Sequence, residues 1–275
     1  MAKRYKENEV IALLKSQTEK KKMLFMPNCG CGLTAKLQEQ GGADLICVSA
    51  TSYWRMKGQG SLAPLMPYCD INEIIMELAP EIAANVTNAP ILSLSGGTNP
   101  LYPHKEHLKR LWDAGISGIN PFMMKIYGDA IMEQMAQIDM GWDKEVDFVG
   151  EAHKMEMFSL AYAFTPDEAR ILAEVGCPAI SSHVGSTVGG MKGAKSSLTL
   201  EEATEKSQEI FDAAKAVNPD VILFAHGGPM KGVKEAEYVV KNTDAVGFIG
   251  GSAAERMPIE KAVLAATEEY KQIAL

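Results

Sequence analysis

The sequence predicts an α/β protein, a single (β/α)8 barrel of the TIM type. Eight short apolar runs alternate with amphipathic segments along the chain. Its 275 residues suit a barrel of about 250 residues better than an open sheet. Polar and glycine residues gather after the runs, while the turns before them, such as "GADL" and "NPDV", are short. That asymmetry is expected of a barrel whose strands all point one way.

The candidate strands are "MLFMP" (23–27), "DLICVSA" (44–50), "PILSLSGG" (90–97), "GISGINPF" (115–122), "MFSLAYA" (157–163), "PAISSHV" (178–184), "VILFAHGG" (221–228) and "AVGFIGG" (245–251). Periodicity alone does not separate a short buried strand from a buried helix, so length and flanking glycines decide. Helix starts lie at "DINE" (70–73), "TPDE" (165–168) and "TLEE" (199–202). Each sets a capping side chain three residues before Glu. Helix ends run into Gly at "EQGGADL", "DAGISG" and "EVGCPA", as a left-handed cap requires. Two helices fill 128–155, broken near "MGWDKE", which puts an extra helix between strands four and five. Residues 1–22 form a short helical extension with Ile11, Leu13 and Leu14 on its apolar stripe, and 23–275 form the barrel domain.

Composition narrows the function. A net charge of −8 argues against nucleic acid as the main partner, since phosphate neutralisation needs a basic footprint. No run approaches the roughly 18 apolar residues of a membrane span, and the N-terminus lacks the apolar core of a secretory signal. Five cysteines at irregular spacing point to reduced thiols and a cytoplasmic location. No organic cofactor is evident.

In this fold the site lies at the C-terminal ends of the strands. His183 and His226 end neighbouring strands and could serve as acid and base, as metal ligands, or as buried groups bonded to backbone. Gly227, Gly228, Gly250, Gly251 and Ser252 could cradle a phosphate or carboxylate, or simply make tight turns. Arg55 and Lys57 sit in a long loop (51–69) and could meet an anion, or form a solvated pair. Asn28 and Asn120 could donate to a carbonyl or carboxylate, or serve turn chemistry. Cys29 and Cys31 in "PNCGCG" lack zinc spacing; they pack a tight turn or offer a reactive thiol. Lys192 and Lys195 lie in the glycine-rich loop after His183, expected to act as a lid over an anionic ligand. Asp70 reads as a helix cap, Glu255 and Arg256 as a surface pair, and His104, His107 and His153 as solvated helical residues.

The motifs "GGADLI", "RMKGQGSLAPLMPYCD", "DMGWDKEVDFV", "HVGSTVGGMKGAKSSLTLEEA", "NPDVILFAHGGP" and "GFIGGSAAERMPIEKAV" together resemble the phosphoenolpyruvate hydrolase-like family. It is also called the TIM-barrel signal transduction family. The likeness runs from about Met23 to the C-terminus and extends to the C-terminal half of plant tobamovirus-resistance proteins. The resemblance implies a barrel related to the phosphoenolpyruvate mutase and isocitrate lyase group. It implies a hydrolase or lyase acting on a small anionic 2-oxoacid, of phosphonopyruvate or phosphoenolpyruvate type, with Mg2+ or another divalent metal. A homo-oligomer is expected, and family analogy adds an ATP-binding partner protein. The chain lacks the Lys-Lys-Cys-Gly-His signature of isocitrate lyases and a clear carboxylate cluster for Mg2+. The alternative is a small-ligand-binding or signalling module without turnover.

Overall fold

The computed structural model describes residues 2–122, 124–195 and 197–275. In order, its elements are α1 (Glu7–Glu19), β1 (Leu24–Cys29), α2 (Gly32–Gln40), β2 (Ile46–Val48), α3 (Ala50–Met56), α4 (Ile71–Asn85), β3 (Ile91–Ser93), α5 (His104–Asp113) and β4 (Gly118–Ile119). There follow α6 (Asp129–Ala136), α7 (Asp143–Lys154), β5 (Phe158–Ala163), α8 (Pro166–Glu174), β6 (Ala179–His183), α9 (Leu200–Val217), β7 (Ile222–His226), α10 (Val233–Lys241), β8 (Gly247–Gly250) and α11 (Arg256–Lys271). The eight strands are parallel and close a barrel in sequence order, β1 pairing with β8. The extra helix between β4 and β5 is α6.

Period two along each strand sorts the side chains. Leu24, Met26, Phe158, Leu160, Ile222, Phe224 and Ile249 point inward and share one buried cluster. Their neighbours Ile180, Leu223, Ala225 and Phe248 point outward, in a second cluster with helical residues such as Leu172, Phe211 and Val239. Continuing the inward series reaches Asn28, Tyr162, His183, His226 and Gly251. The strand alternation itself therefore delivers these residues to the C-terminal end.

Caps set the helices. Asp70 accepts from the N–H groups of Asn72 and Glu73 at 2.9 and 3.1 Å, and Thr165 caps α8 by accepting from Glu168 N–H. At α9 the capping box is complete: Thr199 accepts from Glu202 N–H at 3.2 Å and Glu202 accepts from Thr199 N–H at 2.8 Å. Gly115 and Gly176 have φ of +98° and +87°, which only glycine adopts cheaply.

The N-terminal segment closes the barrel floor. Tyr5, Val10 and Leu14 join the interior cluster. Tyr5 hydroxyl donates to Asn88 C=O at 2.6 Å, and Tyr5 N–H donates to Ser117 Oγ at 3.0 Å. Asn88 and Ser117 precede β3 and β4, so this end of the barrel is sealed. Among the described residues no helix is long and apolar enough to cross a membrane.

Candidate functional site at the barrel mouth

A small cavity of about 50 Å3 opens among Asn28, Thr51, Arg55, His183, His226, Gly251 and Ser252, with Ser61, Leu62, Leu65 and Phe122 also in its wall. The strand register places His183 directly beside His226. Their rings are 5.0 Å apart, and Tyr162 packs 5.2 Å from each.

The two imidazoles hold opposite tautomers. His226 Nδ1 lies 2.8 Å from the Ile249 carbonyl. It therefore carries the proton, and Nε2 is left as an acceptor. His183 Nδ1 lies 3.2 Å from Gly185 N–H and must accept, so its proton sits on Nε2. Neither Nε2 has a partner among the described residues. Burial pushes the His226 pKa down to about 4, with the Arg55 charge adding to the effect. Burial, and then His226, push His183 well below the ordinary value. Both rings are neutral near pH 7. The pair offers one base and one hydrogen-bond donor on the same wall.

Arg55 lies on α3, which begins where a loop is expected from the sequence. Ser49 causes the difference by capping the helix, accepting from Ser52 N–H at 3.3 Å. The guanidinium is buried. Nη2 donates to Ser52 Oγ and lies 3.7 Å from Glu255 Oε2, and Nη1 reaches Ser61 Oγ at 3.5 Å. Burial lowers its pKa and Glu255 opposes that fall.

Glu255 and Arg256 are not a surface pair. Both are buried. Glu255 Oε1 accepts from Gly30 N–H at 2.8 Å and from Thr34 Oγ1 at 2.9 Å. Arg256 donates to Gly189 C=O at 3.2 Å and pairs with Glu260. Tight packing where α11 leaves the barrel takes both side chains out of solvent. His107 is likewise buried rather than solvated, stacked against Phe148 and edge-on to Tyr102.

Five buried polar atoms around the mouth lack hydrogen-bond partners among the described residues: Asn28 Oδ1, Thr51 Oγ1, Arg55 Nε, Tyr162 Oη and Glu255 Oε2. Buried polar groups are normally satisfied, so such a concentration marks a place for water or ligand.

Other candidates lie elsewhere. Asn120 is buried within the barrel, donates to Leu160 C=O and receives Cys47 Sγ at 4.0 Å. Gly227 and Gly228 serve close backbone approach. Gly228 N–H donates to Gly185 C=O at 2.8 Å, and a Cβ on Gly227 would meet that oxygen at 2.2 Å. Gly250 lies under the Phe25 ring, whereas Gly251 and Ser252 reach the cavity. Lys192 and Lys195 are exposed and line no part of it; Ser196 of the same loop lies outside the described residues. Cys29 is buried, and Cys31 adjoins Thr34. Sequence reasoning missed Thr51, Ser61, Tyr162 and Glu255. The inward position of Tyr162 in the strand-five run was the available signal.

Mg2+ prefers oxygen ligands, commonly carboxylates. Among the described residues no acidic side chain lines the cavity, and Glu255 beside it is turned to Gly30, Thr34 and Arg55. Among the described residues no three His, Cys, Asp or Glu side chains form a metal-holding group. The buried Arg55 charge opposes a cation further. These residues do not fit Mg2+.

Comparison with known proteins agrees with this architecture. The chain is 37% identical over 272 residues to the ToMV resistance protein Tm-1(GCR237) of Solanum lycopersicum; the match covers 98% of this chain but 36% of that protein. A phosphonopyruvate hydrolase in complex with oxalate and Mg++ superposes with TM-score 0.60 at 16% identity, covering 94% of this chain and 84% of the other. An oxaloacetate acetylhydrolase bound to its product oxalate gives TM-score 0.63 at 12% identity, covering 97% and 88%. At those identities the likeness shows the shared TIM barrel. The family described as "Phosphoenolpyruvate hydrolase-like" matches residues 9–273, so the chain belongs to the phosphoenolpyruvate hydrolase-like family.

Proposed function

We propose that the mouth binds a small 2-oxoacid anion and cleaves it by hydrolysis or lysis. The observation that carries this reading is the convergence of buried Arg55 with two neutral histidines of opposite tautomer. Arg55 holds the carboxylate, to which Nη1, the guanidinium nitrogen nearest Gly251, supplies a charge-assisted hydrogen bond. His183 Nε2–H donates to the oxo oxygen as negative charge develops there. His226 Nε2 takes a proton from a water that adds to the oxo carbon; as the C2–C3 bond then breaks, the imidazolium returns that proton to the departing carbanion, so that oxaloacetate and water give oxalate and acetate. Asn28 and Thr51 supply further polar contacts. The solved relatives add chemical class: one is a phosphonopyruvate hydrolase with oxalate bound, another an oxaloacetate acetylhydrolase with product oxalate. The cavity is small, about 50 Å3, and Ser61, Leu62 and Leu65 in its wall would move to admit a 2-oxoacid. No step is assigned to a metal, because the lining residues do not suit one.

The test is turnover of oxaloacetate, phosphonopyruvate and phosphoenolpyruvate by purified protein, with Mg2+ and with EDTA. One of them is expected to be cleaved in both conditions. Arg55→Ala should raise KM, and His226→Asn should lower kcat by 10²-fold or more. Absence of turnover together with no thermal shift by oxalate or pyruvate would remove the reading. The absence of lining carboxylates favours a second one, binding without turnover. It predicts a thermal shift with oxalate and a substrate recovered unchanged.

A further inference from the structure

Among the described residues, Arg55 is the one cation in the wall of the mouth cavity. Its charge is already shared, because Glu255 Oε2 lies 3.7 Å from Nη2 and both side chains are buried. Other cations nearby are engaged or turned outward. Arg256 pairs with Glu260, Lys125 with Glu168, and Lys57 lies over the Tyr53 ring. Lys192 and Lys195 are exposed. Burial holds the two imidazoles neutral near pH 7. One ligand carboxylate at Arg55 therefore uses the positive charge of the wall. A second carboxylate on the same ligand would meet uncharged groups, and a charge taken out of water without a partner is strongly disfavoured.

The remaining wall has two characters. Thr51, Ser186 and Ser252 carry hydroxyls, whereas Leu62, Phe122 and Ile126 are apolar. Thr51 Oγ1 is buried and has no partner among the described residues. A hydroxyl can donate to a ketone oxygen, and apolar residues suit an uncharged hydrocarbon group.

The misfit to Mg2+ bears on the same choice. Breaking the C2–C3 bond of a 2-oxoacid leaves an electron pair on C3. Where the lining residues do not suit a divalent cation, the substrate itself must spread that charge. A carbonyl at C4 does so, since the pair passes onto its oxygen as an enolate. A carboxylate at C4 is already negative and does so poorly.

We infer that the mouth selects a monoanionic 2,4-dioxo acid, an acylpyruvate with an apolar acyl group, over dianionic 2-oxoacids. The inference rests on the 2-oxoacid reading of this site and narrows it. The C1 carboxylate lies at Arg55, the C4 oxygen accepts from a wall hydroxyl, and the acyl group faces Leu62, Phe122 and Ile126. Water adds to C2 and gives its proton to His226 Nε2. The C2–C3 bond breaks, and its electron pair passes to the C4 oxygen. The imidazolium then returns the proton to C3. Acylpyruvate and water thus give oxalate and a methyl ketone, and the new carboxyl group loses its proton to solvent. Oxalate is a dianion, so the same charge balance favours its release.

Calorimetry and turnover assays on the full chain, both in EDTA, test this. 2-Oxopentanoate and 2-oxoglutarate have the same chain length, differ by one charge and lack the C4 carbonyl. 2-Oxopentanoate should bind more tightly by about tenfold or more. Acetylpyruvate should give oxalate and acetone with kcat/KM about tenfold or more above that for oxaloacetate. Leu62 is 50% exposed, so Leu62→Lys should fold normally, as circular dichroism verifies, and place a cation in the wall. It should narrow the binding preference by about tenfold. Equal or tighter binding of 2-oxoglutarate, faster cleavage of oxaloacetate, or an unchanged preference in Leu62→Lys would overturn the charge selection and leave the 2-oxoacid reading standing. So would pyruvate and acetate as the products of acetylpyruvate. Neither binding nor cleavage of any of these acids would remove that reading, and this inference with it.

Discussion

Glu255 accepts two hydrogen bonds on one oxygen, from Gly30 N–H and the Thr34 hydroxyl, and turns the other toward Arg55. At 3.7 Å the contact with Arg55 is one of charge rather than a hydrogen bond. Both side chains are out of water, so each depends on the other. Removing one partner of a buried pair leaves an uncompensated charge, which typically costs about 3–5 kcal/mol. Glu255→Gln preserves shape and a carbonyl acceptor but removes the charge. It should destabilise the fold by about 3 kcal/mol and lower the Arg55 pKa further. Adding Arg55→Met should recover a large part of that loss, because the second charge is gone too. Urea unfolding of the two variants decides the matter: a single-variant loss below about 0.5 kcal/mol would place it with ordinary surface changes and mean the pair contributes nothing. The same double variant should lose anion binding, which separates the stability role from the ligand role.

Helix α9 shows how a local signal becomes an element. The loop before it is long and glycine-rich, and Thr199 with Glu202 ends it by closing the capping box. Thr199→Ala should cost about 1 kcal/mol, read as a lower urea midpoint with an unchanged slope. A change below a few tenths would mean that packing of Ile210 and Phe211 alone sets the start of the helix. Such signals made much of the fold legible. Capping boxes, glycine stops and apolar runs are local, and each was readable from a few residues. His183 and His226 were legible as neighbours because both end their runs and strand order follows sequence order. The Arg55–Glu255 contact was not. The two residues are 200 positions apart in the chain, and their meeting depends on how α3 and α11 leave adjacent strands. Arg55 was further obscured because Ser49 turns the start of an expected loop into a helix. Lys192 and Lys195 look like site residues by charge, but their loop carries them outward. Tyr162 was hidden by its chemistry: a tyrosine on a buried strand reads as core until its hydroxyl is found unpaired.

Across the whole molecule, three histidines are buried neutral, and this links folding to pH. His107 and His226 each have a pKa pushed down to about 4, mainly by burial, and His183 lies well below its ordinary value. A histidine in the unfolded chain titrates near 6.5. Between about pH 6.5 and 4 the unfolded chain therefore binds protons that the folded chain refuses. Stability then rises with pH through that window and is lost as pH falls through it. Not every group acts in this direction. Glu145 has its pKa raised by burial, so its protonated form favours the fold and opposes the histidines. The difference between wild type and a variant isolates one group. His107 makes no hydrogen bond through either nitrogen among the described residues, so its replacement removes little besides the titration. His107→Phe is expected to weaken the fall in stability between pH 7 and pH 5 by about 2 kcal/mol, given about 1.4 kcal/mol per pH unit below the unfolded pKa. His226→Asn should flatten the same limb by a similar amount while also removing the proposed base. Urea unfolding at pH 7, 6 and 5 measures both. Parallel curves for wild type and His107→Phe would show that His107 takes up its proton in the folded chain as readily as in the unfolded one, contrary to its packing between Tyr102 and Phe148.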